Sequence, residues 1–417
     1  MVQAALVDAT QNTPAAALAR GNLQLAEFMC RDRLEAGAGD LLTWRTLADI
    51  ATRTGQHHVA SDCWQAARQI APHDAGVLAA WHAARVAQQR ADAARSTCTA
   101  PRYLLIKAWG YGFWSDLDHV LSMLLLADLT GRIPVVRWGH NSLFRAPDTD
   151  NAFTAFFEPV SPACLADLQQ PGQRHFPAKW SASNLVQEDL QKWEGPGSRC
   201  TGLYLLGREE EVVVSDFHTK VHDLMPWIPA DSPYAGLTRS QIYRAIVQKH
   251  LRLKPHLAER VEGLWHDRLQ GRHWLAVHVR GSDKVHEMRH LHEVNEAYYG
   301  AIDKVLSVNP SLSIFLLTDS APMLACFQER YGDRIVSLDV IRSSSQTGVH
   351  YAGHSGIEVG EQVIVDAWLA ARCDFFLGNG GSNVSVGIRH LKSWAEGTFF
   401  LIGEDFLGQR NKTLHAW

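Results

Sequence analysis

The sequence predicts an α/β protein in which a helical repeat precedes two runs of alternating strands and helices. Three observations carry that prediction. Between residues 274 and 402 short apolar runs alternate with amphipathic segments, the pattern of a doubly wound parallel sheet. The run Leu-Ala-Val-His-Val at 275–279 is apolar and β-branched, and it stops abruptly at Arg280-Gly281-Ser282, where turn chemistry takes over. Finally, the N-terminal stretch repeats itself: Gly21, Leu25, Ala26 and Cys30 are matched 34 residues later by Gly55, Val59, Ala60 and Trp64, and Asp40 by Asp74.

Composition narrows the function classes. The 417 residues are 46% hydrophobic and 20% charged with a formal net charge of −4, so no field suited to nucleic acid or a membrane surface is expected. Seven scattered cysteines without a CxxC pair fit a reducing compartment. Residues 1–21 lack a basic start followed by an apolar run, and the most apolar stretch, 120–126, is too short to span a bilayer. A cytoplasmic protein with no transmembrane segment is therefore expected. Fourteen tryptophans suit a carbohydrate ligand as readily as they suit packing.

In chain order, residues 1–95 form the repeat, whose 34-residue period resembles a tetratricopeptide (TPR) array. Such a module either offers a groove for a protein partner or for self-association, or packs as a cap on the rest of the chain. A polar linker is expected over 88–101. An N-terminal α/β domain over 101–255 opens with a strand at 103–107, a glycine turn (Gly110, Tyr111, Gly112), a helix with Ser115 and Asp116 as its cap, and a strand at 134–138. The glycines let backbone amides approach a ligand. Asp116 and Asp118 also match the DxD pattern of metal–nucleotide sites, although Asp116 stands where a cap is needed. Residues 151–235 read as loop-rich, and helices follow at 240–251 and 255–269. In the C-terminal domain, 256–417, strands at 275–279, 314–318, 334–338, 375–377 and 398–402 alternate with helices. Arg280, Asp283 and Lys284 follow the first strand, Thr318-Asp319-Ser320 the second, and Asn379-Gly380-Gly381-Ser382-Asn383 opens the last helix. Polar and glycine-rich ends on one sheet edge suit a polyanion.

These residues resemble the α1,6-fucosyltransferase superfamily, whose members include the core fucosyltransferase of N-glycans and the nodulation fucosyltransferase. The resemblance rests on Gly110-Tyr111-Gly112 with His119-Val120, the string His278-Val279-Arg280-Gly281-Ser282-Asp283-Lys284, Leu317-Thr318-Asp319, and Asp366 with Asp374-Phe375 and Ser382, and it spans residues 103–395. It implies a GT-B-like pair of Rossmann-like domains and inverting, metal-independent transfer of fucose from GDP-fucose to a glycan, glycolipid or protein hydroxyl, with no cofactor. It further implies that Arg280, with Lys284 and Ser382, holds the β-phosphate, that His278 and Asp366 contact guanine, and that Asp283 and Asp319 organise the charges. Gly110, Tyr111 and Gly112 would face the sugar nucleotide. The nearest carboxylate to the family's base position is Glu287, with Glu293 and Glu296 as rivals. His286, His290 and His292 fit no zinc spacing. Two alternatives stay open: a transferase of another GDP-hexose, and a catalytically weak GDP-sugar-binding repeat scaffold.

Overall fold

The computed structural model describes residues 13–97, 100–188, 202–281, 291–345, 348–349 and 352–403. Five helices come first: α1 (Pro14–Ala19), α2 (Leu23–Glu35), α3 (Leu41–Arg53), α4 (His57–Ile70) and α5 (Ala75–Thr97). The sequence period is structural. Asp40 caps α3 through the Thr43 amide at 2.8 Å, and Asp74 caps α5 through Val77 at 2.9 Å. Gly21 and Gly55 end α1 and α3 in the same left-handed conformation. The expected linker is largely helix instead, because its Ala, Gln and Arg residues are good helix formers that extend α5 to Thr97.

The next unit runs β1 (Tyr103–Lys107), α6 (Phe113–Thr130), β2 (Ile133–Arg137), α7 (Phe153–Phe156), β3 (His175–Phe176), α8 (Gly202–Leu205), β4 (Val212–Ser215) and α9 (Val221–Leu224). Its strands form an all-parallel sheet in the order β2-β1-β4-β3. The stretch read as loops thus holds a central strand, β4, a four-residue run too short to reveal a period. Helices α10 (Arg239–His250) and α11 (Pro255–Leu264) lead to β5 (Trp274–Val279), α12 (Leu291–Val308), β6 (Ser313–Thr318), α13 (Ala321–Tyr331), β7 (Ile335–Val336), α14 (Gly356–Ala370), β8 (Phe375–Asn379), α15 (Asn383–Leu391) and β9 (Phe399–Ile402). The second sheet is parallel in the order β7-β6-β5-β8-β9. Counted within the sheet this is 3-2-1-4-5, the doubly wound order, with its switch point between β5 and β8. The predicted α/β class with two parallel sheets is what the chain builds. No described helix is long and apolar enough to cross a membrane.

Alternation along the strands divides the core. Ala276, Phe315 and Leu104 join one continuous cluster that also takes in the helical repeats, whereas Leu275, Val277 and Ile314 pack on the opposite face of the second sheet. Helix α6 is buried on every side from Phe113 to Ala127, and its buried polar side chains, among them Asp116, Asp118 and His119, are met by partners inside the fold.

The repeats sit hard against the first α/β unit. A Cβ on Gly207 would stand 1.9 Å from the Thr54 carbonyl oxygen, and one on Gly55 2.7 Å from that of Gly207. The Arg31 guanidinium lies 5.1 Å from the Trp227 ring centroid. At this face the repeat packs as a cap on the first α/β unit. Gly207→Ala is expected to cost about 1–3 kcal/mol, the usual penalty of overpacking, because backbone cannot yield as a side chain does. Gly300→Ala, on exposed α12 with nothing within 4 Å of the new Cβ, is expected to gain up to ~1 kcal/mol. Urea midpoints of the two variants check the contrast, and equal midpoints would contradict it.

Candidate functional site

The ends of β5 and β6 and the start of α15 converge on a cavity of about 370 Å³ at the switch point of the second sheet. Strand pairing sets Val279 beside Thr318, so the two strands release Arg280 and Asp319 side by side. Asp319 Oδ1 accepts the Gly281 amide at 3.0 Å, and Oδ2 pairs with Arg280 Nη1 at 2.5 Å. Asn295 on α12 donates to the Arg280 carbonyl at 3.2 Å. The backbone and the guanidinium of Arg280 are thereby both fixed.

His278 is buried one step back on β5, with its carbonyl accepting the Tyr298 hydroxyl at 2.6 Å and Nδ1 2.7 Å from Ser385 Oγ. Ser385 Oγ also accepts the Asn379 amide at 3.0 Å. The other ring nitrogen, Nε2, has no partner among the described residues and is the one left for a ligand in the cavity that His278 lines. Burial, with Arg280 adding to it and Asp319 opposing, holds the imidazole neutral by pushing its pKa down to about 4.

The glycine-rich start of α15 departs from expectation in one respect. The amides of Gly380, Gly381 and Ser382 donate to Ile402 O, Asn379 Oδ1 and Asn379 O. The open donors are instead the first-turn amides of α15, which has no side-chain cap, together with the Ser382 hydroxyl. Ser382, Asn383 and Val384 line the cavity.

At another part of the wall, Val359, Gln362, Val363 and Asp366 form one face of α14, spaced i, i+3, i+4 and i+7. Gln362 Oε1 holds the Ile341 amide at 2.9 Å. Asp366 accepts no hydrogen bond from the described residues. Its burial raises the carboxyl pKa to about 7, against the opposing fields of Arg342 and Arg260. Sequence reading missed Arg342, whose guanidinium donates to Leu338 O and Val340 O, and Gln362. The α14 spacing was the signal that could have found Gln362.

The third wall comes from the first unit: Trp109, Tyr111, Gly112, Phe113, Trp114 and Phe144. Here two expectations fail. Helix α6 starts at Phe113 with Gly112 as its cap residue, so neither Ser115 nor Asp116 caps it. Asp116 Oδ1 reaches back to the amides of Gly110, at 2.8 Å, and Tyr111, at 3.4 Å, so these amides face a carboxylate and not a ligand. A carboxylate in the first turn suits the positive end of the helix, which is why the residue type looked like a cap. Asp118, the other acid of the DxD string, is buried against His218 Nε2 at 3.0 Å and the Tyr243 hydroxyl.

Asp283, Lys284 and Glu287 lie outside the described residues. Glu293 and Glu296 are exposed on α12, and neither lines the cavity. Among the described residues no cluster of His, Cys, Asp and Glu could hold a metal ion.

No family model and no curated protein matches the chain. Among solved structures it is similar to the NodZ alpha-1,6-fucosyltransferase soaked with GDP-fucose, at 22% identity over 70% of this chain and 92% of that chain, with a TM-score of 0.49. It is also similar to a mutant of Arabidopsis thaliana FUT1 in complex with GDP (12% identity, 70% and 69% of the two chains, TM-score 0.45). POFUT1 in complex with GDP-fucose is a third (15% identity, 73% and 99%, TM-score 0.42).

Asp366 carries a testable cost. A carboxyl whose pKa is higher folded than unfolded destabilises the fold by ionising, a penalty absent below the unfolded value near 4 and complete above about 7. Asp366→Asn is therefore expected to exceed the wild type in urea midpoint at pH 8 and to match it at pH 4. The same difference at both pH values would contradict the assignment.

Proposed function

We propose that the chain is a glycosyltransferase that takes fucose from GDP-fucose and passes it to an acceptor hydroxyl. One observation carries the reading: Arg280, His278, Asp319, Ser382 and Asp366, singled out in the sequence from distant positions, line a single cavity. A nucleoside diphosphate needs an anion site and a base reader, and the cavity has both.

In this reading the diphosphate lies between the Arg280 fork and the start of α15, where the Ser382 hydroxyl and first-turn amides donate to it. As the glycosidic bond breaks, negative charge grows on the β-phosphate, and fixed donors stabilise it without reorganising. Lys284 adds a second cation and Asp283 orders it. Neutral His278 meets the nucleotide through Nε2. Ionised Asp366 accepts the paired N1–H and amino donors of guanine, an edge that adenine lacks. Attack from the face opposite GDP inverts the anomeric carbon, with Glu287 taking the proton from the acceptor hydroxyl. Neither a metal nor a cofactor takes part, and the acceptor belongs to a glycan, glycolipid or protein. A cytoplasmic location and a partner role for the repeats belong to the same proposal.

A thermal-shift and hydrolysis panel of GDP-fucose, GDP-mannose, a UDP-sugar and an ADP-sugar, with and without EDTA, tests it. GDP-fucose should stabilise the protein and turn over undiminished in EDTA. Preference for GDP-mannose moves the reading to another GDP-hexose, and binding without turnover moves it to the scaffold.

Two variants sharpen it. Arg280→Lys keeps the charge and loses the fork, so turnover should fall at least ~100-fold, about 2.7 kcal/mol of transition-state stabilisation; near-normal turnover in a folded variant sinks the phosphate role. Affinity for GDP should weaken as pH falls from 8 to 6, because Asp366 protonates about 7. In Asp366→Asn that affinity should be weak and flat with pH, as titration calorimetry would show.

A further inference from the structure

The Asp366 face of α14 and the start of α15 form two walls of the cavity, and one side chain of the first α/β unit touches both helices. Trp114, in the first turn of α6, is buried and lines the cavity. Helix α15 passes its six-membered ring at Gly387. A Cβ there would stand within 2.6 Å of three consecutive ring atoms, Cδ2, Cε3 and Cζ3, so the ring lies face-on to the helix backbone. Trp368 on α14, two residues beyond Asp366, stacks on the same indole with centroids 6.0 Å apart and planes at 28°. The two helices also meet directly, and the indole fills the angle between them.

Glycine is the poorest helix former after proline, yet Gly387 stands in the middle of the nine residues of α15. Its missing Cβ is what admits the ring. Trp368 is itself backed by Phe157 at 6.2 Å. An interior packed this closely passes a displacement on to its neighbours instead of absorbing it.

We infer that Trp114 is a positioning residue: seated on Gly387 and against Trp368, it sets the separation between the base-binding face of α14 and the anion-binding start of α15. The inference rests on the donor reading above. A nucleoside diphosphate has a bounded span from base edge to phosphates, and it gains the contacts of both helices only when they stand that far apart. Each end then binds at the effective concentration set by the other, and a misplacement of about 1 Å costs on the order of 100-fold in rate. Neither Gly387 nor Trp368 lines the cavity, so both act on a ligand only through this spacing. The distance is thus carried by the first unit, although both walls belong to the second.

Gly387→Ala in the full chain puts a methyl where the ring lies. Crystal structures of the wild type and the variant, both without nucleotide, should differ in the Asp366–Ser382 separation while the spacing of β5 and β6 stays the same. By titration calorimetry GDP affinity should fall at least ~10-fold. Guanosine and inorganic pyrophosphate each meet one helix only, so NMR titration should find them within about two-fold of their wild-type affinities. Trp114→Leu empties the angle and should also weaken GDP. The double variant should lose less than the two single losses added together, because methyl and ring compete for one space. Loss of guanosine or pyrophosphate binding alongside GDP means local damage and overturns the inference, as does an unmoved helix separation or unchanged GDP affinity in the folded variant. Should Gly387→Ala not fold, Trp114→Leu carries the same comparisons. The two readings fail separately: a wild type that binds no GDP removes the donor assignment, while the helix separation still decides the role of Trp114.

Discussion

The site depends on one carboxylate, Asp319. It stands at the end of β6 and accepts both the Gly281 amide and the Arg280 guanidinium, so it sets the direction in which the neighbouring strand leaves the sheet. Such a pair adds little net stability, because desolvation offsets most of the attraction, but losing one partner strands the other. Its value is positional. A guanidinium has five donors in a fixed fork, and one carboxylate cannot occupy them all, so Arg280 can be held from one side and still present N–H groups to the other. The charges nearly cancel, however. A diphosphate approaching this pair meets little net field from it, and the attraction must come from the first-turn dipoles of α15 and, in the proposed mechanism, from Lys284.

Burial acts on the remaining ionisable groups in one direction, towards neutrality. It pushes His278 down to about 4 and Asp366 up to about 7, so near neutral pH the imidazole is uncharged and the carboxyl is poised. The two differ in what they can then do. His278 is held by Ser385 and stays uncharged at any physiological pH, whereas Asp366 can accept paired donors only when ionised. In the proposed function, guanine recognition is thus the step that couples to pH. The fold tolerates Asp366 because the group can protonate when the cavity is empty.

Much of the cavity wall could be read from the sequence because strand ends announce themselves. The apolar run into Arg280, the Thr318-Asp319-Ser320 break and the glycine pair before Asn383 each combine a strong local pattern with polar punctuation. Arg342 could not be found that way: it follows β7, only two residues long, and its role comes from carbonyls and a distant helix face. Gly110 and Asp116 were misjudged for a related reason. The residue types for an amide cradle and a cap are present, but which amide meets which oxygen depends on where α6 begins, and a start three residues earlier than expected turned the cradle onto the carboxylate. The aromatic wall was the least legible, since Trp109, Phe217, His218 and Tyr243 come together only through tertiary packing.

The helical repeats follow from the thinness of the first α/β unit. A parallel sheet must be covered on both faces, yet beside the buried α6 the chain supplies this one only with α8 and α9, four residues each, on the flank towards the repeats. Helices that short have no stability of their own. The continuous core that contains Leu205, Leu206, Val221, Leu224 and Trp227 is completed by residues of α1 to α5 such as Leu47, Ile50 and Trp64. The backbone contact between Gly55 and Gly207 fixes the register of that layer. The 34-residue repeat is therefore a layer of this fold: it stiffens the flank on which Phe217 and His218, just beyond β4, brace Trp109 at the cavity wall.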